Sequence, residues 1–318
     1  MPGLLTHHMA GRAVLAGLPG DMHRGLKACR GVFNLGAQGP DFFFYYVPGL
    51  VCKRSRGVGQ DIHRGRFGAF FMHMARQMKE LRDPARHQAL LAYLSGLLVH
   101  YAVDAHAHPY VYAQVHRPGS TRLQESARHR HLETSIDVLL LAQQAGLRPQ
   151  QVAQWRLLCH TPGQRHTVGQ AFSRAIHAVH NRVVRPGEVC NAITHMLLWT
   201  RVLQSRRGRR KRWLAKLEDA VLGRGVRLLS GMVHCPHMRR FVDYLNEKRQ
   251  TWHAPWAPEV SRTESFMDLY TAAVADATRM VQALHGYAAG TTSAAQLQAV
   301  VGNRSLQNGM EGGSPCTG

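Results

Sequence analysis

The 318-residue sequence predicts an all-α fold, on three observations. Apolar residues recur mostly at three- and four-residue intervals, no set of alternating runs reads as strands, and helix start and stop signals punctuate the chain. Hydrophobic residues make up 45% and charged residues 19%, so a sizeable core can form and wholesale disorder is excluded. Thr6 reads as the N-cap of a first helix ending before Pro19. Glycines crowd the stretch from Gly31 to Gly68, which is expected to be irregular and, at that length, to carry function. Asp83-Pro84 supplies an N-cap and a proline at the first helical position. The helix it opens runs through Leu90, Leu91, Leu94, Leu97, Leu98 and Tyr101 toward Pro109. It is apolar nearly all round and is expected to be central. Ser120 or Thr121 caps the next helix, with Gln124 or Glu125 in its first turn, and Gly146 and Pro149 stop it. Further helices are expected at about 164–182, 187–205, 210–230, 237–246 and 263–286. The stretch 1–300 is read as one domain, and the Gly-, Asn- and Ser-rich stretch 301–318 as a disordered tail.

Forty Lys and Arg stand against 19 Asp and Glu, a formal charge of +21, which points to a polyanionic environment such as anionic lipid, nucleic acid or phosphate esters. The densest positive run, SRRGRRKRW from Ser205 to Trp213, reads as a solvated linker or a phosphate-facing patch. No uncharged apolar run reaches the ~18–20 residues of a bilayer-spanning helix. No basic segment leading into an apolar one marks a signal peptide near the start, so a cytoplasmic or membrane-peripheral location is expected. The six cysteines are scattered with no C-x-x-C, which signals neither a thiolate zinc site nor a compact disulfide framework and suggests free thiols. No G-x-x-x-x-G-K occurs and no histidine precedes an aspartate, which sets aside P-loop chemistry and His-Asp phosphohydrolases.

Histidines number 21, more than all carboxylates, and neutral imidazole is the commonest metal ligand. Where the scarce carboxylates stand beside histidines is therefore informative. His100 and Asp104 lie at i and i+4, as do His129 and Glu133, spacings that face each other on a helix and can share a metal ion. His108 continues the first row, although Pro109 is expected to bias it out of the helix. Asp41 follows a glycine-proline turn, Gly36-Ala-Gln-Gly-Pro-Asp41, and His63 lies in the same glycine-rich segment. Buried without compensation, such groups would cost several kcal/mol per ion; divalent cations remove that cost. His106 and His131 fall on other faces and are read as non-ligands. Asp137, one turn beyond Glu133, is read as a supporting partner of the ligands. The run Phe42-Phe-Phe-Tyr-Tyr46 is read as core or cleft wall, with an interfacial lipid contact as the other reading.

In order along the chain, Thr6-His7, LGAQGPD from Leu35 to Asp41 with the aromatics after it, Ile62-His63, HYAVDAHAHPY from His100 to Tyr110 and HRHLE from His129 to Glu133 resemble the bacterial zinc-dependent phospholipase C family. The likeness covers roughly the first 140 residues; Asp243 to Asn246, Trp252, Pro255-Trp256 and Ser265 to Tyr270 are more loosely similar. It implies an all-helical bundle, shared with P1-type nucleases, around a cleft that binds zinc. It further implies that Asp41 is both zinc ligand and general base, that His63 is the histidine ligand that follows it, that His100 and Asp104 are the central helix pair with Asp104 a bridging or shared ligand, and that His108, His129 and Glu133 hold a second zinc. His7 matches a third site, which in secreted members is completed by an N-terminal tryptophan. This chain begins Met-Pro-Gly, so two zinc ions are expected and the third is left open. Three carboxylates against two or three Zn2+ leave about +1 to +3 for a phosphodiester. The activity implied is hydrolysis of phospholipid at an anionic membrane surface to diacylglycerol and a phosphorylated headgroup. Two alternatives stand beside it: a single-strand-specific zinc nuclease, or a non-catalytic basic protein binding membrane or nucleic acid.

Overall fold

A computed structural model describes residues 3–46, 55–204, 209–222, 229–234 and 242–312. Its helices are α1 (Leu4–Gly17), α2 (Gly20–Ala28), α3 (Arg30–Gly36), α4 (Val58–Arg64), α5 (Phe67–Glu80), α6 (Pro84–Val115), α7 (Arg122–Ala145), α8 (Gln154–Leu157), α9 (Pro162–His180), α10 (Pro186–Leu203), α11 (Arg209–Leu222), α12 (Phe266–Ala289) and α13 (Ala294–Val301). Short 3-10 segments occupy Gly39–Tyr45, Pro149–Gln151 and Ser230–Met232. The only sheet among the described residues is an antiparallel hairpin, β1 (Trp252–Ala254) and β2 (Ala257–Arg262). The fold is all-α, as the sequence predicts. No described helix is long and apolar enough to cross a membrane.

The central helix is α6. Asp83 accepts hydrogen bonds from the Ala85 and Arg86 amides and Pro84 opens the first turn, as expected. Leu90, Leu94, Leu97, Leu98 and Val99 are all buried, because α3, α12, α9 and α7 pack on different sides of it. Thr121 and Gln124 form the capping box at the start of α7, and Gly146, at φ 64°, ends it.

Five expectations are corrected. Thr6 does not cap α1 but lies within its first turn, the N-cap being Gly3. The segment from Gly31 to Gly68 is not irregular throughout: it contains most of α3, a 3-10 turn and α4. Pro109 does not turn His108 out of α6, which continues to Val115. Pro109 removes the donor that would reach the Ala105 carbonyl. Gly309 comes up to that oxygen instead, so closely that a Cβ on it would fall 2.3 Å away. The disordered tail expected from 301 gives way over 302–312 to a folded strap with Leu306 and Ser305 buried; 313–318 lie outside the described residues. Of the helix expected at 237–246, residues 237–241 lie outside the described residues and 242–246 form turns, and the hairpin after it is an element the helical reading does not contain. Pro255 and Pro258 interrupt the short hairpin segment and mask any strand-like alternation.

The crossing of α3 over α6 is made by two glycines. A Cβ on Gly36 would lie 2.0 Å from the Tyr93 carbonyl oxygen, and one on Gly96 would lie 2.0 Å from that of Phe33. Backbone meets backbone there, which brings the turn after α3, and with it Asp41, onto the histidine-bearing half of α6. Gly96→Ala must therefore push the two helices apart. Overpacking at well-packed sites costs roughly 1–3 kcal/mol, so a lowered thermal midpoint is expected by calorimetry; an unchanged midpoint would remove the close crossing from the account of the fold.

Candidate metal centre

Four parts of the chain converge beneath this crossing. The side chains of His7, Asp41 and His100 form one group of donor atoms, His63, His100 and Asp104 a second, and His108, His129 and Glu133 a third, with every donor atom inside a group within 4.8 Å of the others. All eight residues singled out in the sequence are thus brought together, and all except His129 are buried. His106 and His131 are not among them. His106 sits 3.3 Å from Asp276 and 3.2 Å from Arg304, and His131 faces the Tyr244 hydroxyl at 3.5 Å.

Each side chain is placed by a support that local sequence does not show. His7 rides on the first turn of α1, whose N-cap, Gly3, has no side chain to offer. Asp137 of α7 does that work: its carboxylate accepts the Thr6 amide and hydroxyl, both at 2.7 Å, and the Leu5 amide at 3.2 Å. The residue at 3 must be glycine, since a Cβ there would fall 2.2 Å from an Asp137 oxygen. His234 completes Asp137 at 2.8 Å. Asp137, expected to be a supporting partner of the ligands, anchors the helix that carries His7. Gly39, at φ 54°, lies so near the His100 ring that a Cβ would be 2.2 Å from Cδ2, and the Tyr93 hydroxyl donates to its carbonyl at 3.0 Å. That fixes the turn bearing Asp41.

The electrostatics are set by two backbone carbonyls. His63 donates from Nδ1 to the Gly59 carbonyl at 2.7 Å, and His108 donates from Nδ1 to the Leu306 carbonyl in the strap. A neutral imidazole that donates from Nδ1 carries a lone pair on Nε2. His63 Nε2 then faces Asp41 Oδ1 at 3.2 Å and Asp104 Oδ2 at 3.6 Å, while His100 Nε2 lies 3.2 Å from Asp104 Oδ2 and His7 Nε2 3.3 Å from Asp104 Oδ1. None of these nitrogens, nor either Asp104 oxygen, makes a hydrogen bond, and all are buried. Acceptors held facing acceptors out of water repel unless a positive charge sits among them. Imidazole nitrogen and carboxylate oxygen are the donor set that suits zinc.

This decides how a family comparison is read. A model of the zinc dependent phospholipase C family matches residues 6–181. The chain belongs to the zinc-dependent phospholipase C family. All eight clustered residues fall inside the matched stretch, while α10, α11, the hairpin, α12 and α13 lie beyond it. No curated protein and no solved structure matches the chain. In this family member the zinc-dependent character named by the family has a physical counterpart in the unreconciled acceptors.

Phe44 stands at the edge of the cluster, its ring centroid 5.4 Å from that of His63, and is 40% exposed, whereas Phe42 and Phe43 are buried. The aromatic run is therefore divided, with Phe42, Phe43 and Tyr46 in the core, Tyr45 half-buried against it and Phe44 at the rim. Supports missed by sequence reasoning are the Leu306 and Gly59 carbonyls, Gly309 and the Asp137–His234 pair; only Asp137, by its spacing from Glu133, gave a local signal.

Burial without a cation pushes the Glu133 carboxyl up to about 8 and raises those of Asp41 and Asp104, while it lowers His7 to about 3 and depresses His63, His100, His108 and His129. The two classes act oppositely on stability. The depressed imidazoles stay neutral in the folded protein and bind protons in the unfolded chain, so their stabilising effect is lost as pH falls below 6.5. Glu133 holds its proton in the folded protein while the unfolded chain has released it, so stability falls as pH rises from about 4.5 to about 8. From pH 6.5 to 8 the carboxylate effect acts alone. The thermal midpoint of chelator-treated protein is expected to drop across that interval and that of zinc-reloaded protein to stay level; a level midpoint for the chelated protein would contradict the burial assigned to Glu133.

Proposed function

We propose that this chain hydrolyses phospholipid, releasing diacylglycerol and a phosphorylated headgroup, with two zinc ions held by the clustered side chains. The observation that carries the reading is the set of buried Nε2 and carboxylate acceptors facing one another inside a family defined by zinc-dependent phospholipase C. Asp41, His63, His100 and Asp104 would hold one ion and His108, His129 and Glu133 the other. His7, 3.3 Å from Asp104, is the residue available to a third. When bound, zinc supplies Lewis-acid stabilisation of phosphoryl charge and acidifies water in the site.

The chain's own residues then do the following. Asp41 accepts the proton of the attacking water, a task for a carboxylate placed among the ligand side chains. Water oxygen forms a bond to phosphorus, the bond from phosphorus to the glycerol oxygen breaks, and that oxygen takes up a proton from solvent while Asp41 returns the one it accepted to solvent. Asp104, with both oxygens among three imidazoles, orients the cluster, and the Gly59 and Leu306 carbonyls keep His63 and His108 in the tautomer that presents Nε2. Phe44 at the rim offers an apolar contact for an acyl chain. The strongly basic composition favours action at an anionic membrane surface. It suits a nucleic-acid phosphodiester equally, which keeps single-stranded DNA as the competing substrate.

Turnover on both substrates with one preparation separates them, following headgroup release from phosphatidylcholine or phosphatidylethanolamine and cleavage of single-stranded DNA at matched phosphodiester concentration. The expected result is faster, zinc-dependent lipid hydrolysis, reduced by about 10²-fold or more in Asp41→Asn while most of the zinc is retained. Near-normal turnover by Asp41→Asn would refute the base assignment. DNA cleavage without headgroup release would assign the centre to nuclease chemistry.

A further inference from the structure

The basic run singled out in the sequence leads into α11, and the described part of that helix is built inside out. Ser205–Gly208 lie outside the described residues; from Arg209 onward the helix is described. Its inward side is anchored by polar contacts beside the half-buried Leu214 and Ala215. Glu218 is buried and accepts the amides of Leu229 and Ser230 and the Ser230 hydroxyl, and Lys211 donates to the Val233 carbonyl at 2.8 Å. The 3-10 segment it rests on is tied in turn to α7, where the Thr134 hydroxyl donates to the Gly231 carbonyl at 3.0 Å. Its outward side is apolar: Trp213 is 65% exposed, Leu217 48% and Val221 71%, at i, i+4 and i+8, one continuous stripe. Arg209, Arg212 and Lys216, all exposed, run along one flank of it. A helix that merely covers a soluble domain turns its apolar stripe inward.

We propose that α11 is a docking helix for an anionic lipid surface, with Trp213, Leu217 and Val221 entering the interface and Arg209, Arg212 and Lys216 meeting the headgroup phosphates. Trp at the centre of the exposed face, aliphatic residues beside it and a cationic flank are the chemistry of a helix lying in the plane of a membrane. The cationic flank alone would suit a nucleic-acid backbone. Leu217 and Val221 give neither a hydrogen bond nor a stacking surface, which favours lipid. A second copy of this chain would bring like charge against like. The inference rests on the proposed phospholipid substrate for its biological sense, but vesicle binding is read without turnover.

The test uses full-length, zinc-loaded protein sedimented with phosphatidylcholine vesicles made with and without phosphatidylglycerol. Wild type is expected to bind the phosphatidylglycerol vesicles more tightly, with affinity falling as salt is raised. The variant Trp213→Ala/Leu217→Ala/Val221→Ala is expected to lose roughly tenfold or more in vesicle affinity, with zinc content and hydrolysis of a soluble short-chain substrate unchanged. The variant Arg209→Gln/Arg212→Gln/Lys216→Gln is expected to lose the preference for phosphatidylglycerol, by about fivefold for each charge removed. Vesicle binding by both variants equal to wild type would overturn the proposal. So would loss of single-stranded DNA binding by the second variant with vesicle binding intact, which would make α11 a nucleic-acid contact. If vesicle binding depends on these residues but no lipid is hydrolysed, the docking helix stands and the proposed substrate falls.

Discussion

Everything in this molecule turns on lone pairs that face lone pairs. Because Gly59 and Leu306 take the Nδ1 protons of His63 and His108, the Nε2 atoms of those rings are acceptors, and what lies opposite His63 is carboxylate oxygen. Burial lowers the proton affinity of the imidazoles and raises that of the carboxyls, so without a cation the repulsion is relieved by carboxyls that keep their protons, and a bound cation would take the place of those protons. The coordination energy that zinc supplies at such a site is also folding energy. The polar interior is thus a reason for the fold to be more stable with a metal bound than without one.

The supports of the cluster are spread along the chain. Two glycines bring α3 against α6 and carry Asp41 to His100, Asp137 of α7 holds the start of α1 and so His7, and the strap after α13 reaches back to His108 and His63. In the strap, the Ser305 hydroxyl and the Gln307 amide both donate to the His63 carbonyl, so one short segment touches a residue of each proposed zinc site. Arg304 fastens it to Asp276 of α12 and, through its amide, to the Tyr101 hydroxyl. Geometry at the centre therefore depends on residues 304–309 as much as on the helices. The docking helix is attached differently, through polar contacts to a 3-10 turn on α7, which leaves its apolar side free.

What could be read from sequence was what helical periodicity shows. His100 with Asp104 and His129 with Glu133 are i,i+4 pairs, and the caps at Asp83 and Thr121 lie beside the turns they close. His7, Asp41 and His63 meet only through tertiary packing, so spacing could not unite them and family likeness did. Pro109 misled because a local rule, that proline unsettles the residue before it, yields when another segment accommodates the carbonyl it leaves without a donor. Composition misled at the strap: Gly, Asn and Ser look like a tail until Leu306 is seen to be buried and Gly309 to be required by close approach. The pairing of His234 with Asp137 spans 97 residues and has no sequence signature.

The most direct measurement is the metal content of the full chain purified without chelator, by elemental analysis alongside Asp104→Ala and His129→Ala. At least two zinc ions per chain are expected in the wild type, with metal lost and thermal stability lowered in both variants. Fewer than one tightly held metal per chain, or metal content unchanged in both variants, would mean that the facing acceptors are not reconciled by zinc and that the centre described here is not a metal site.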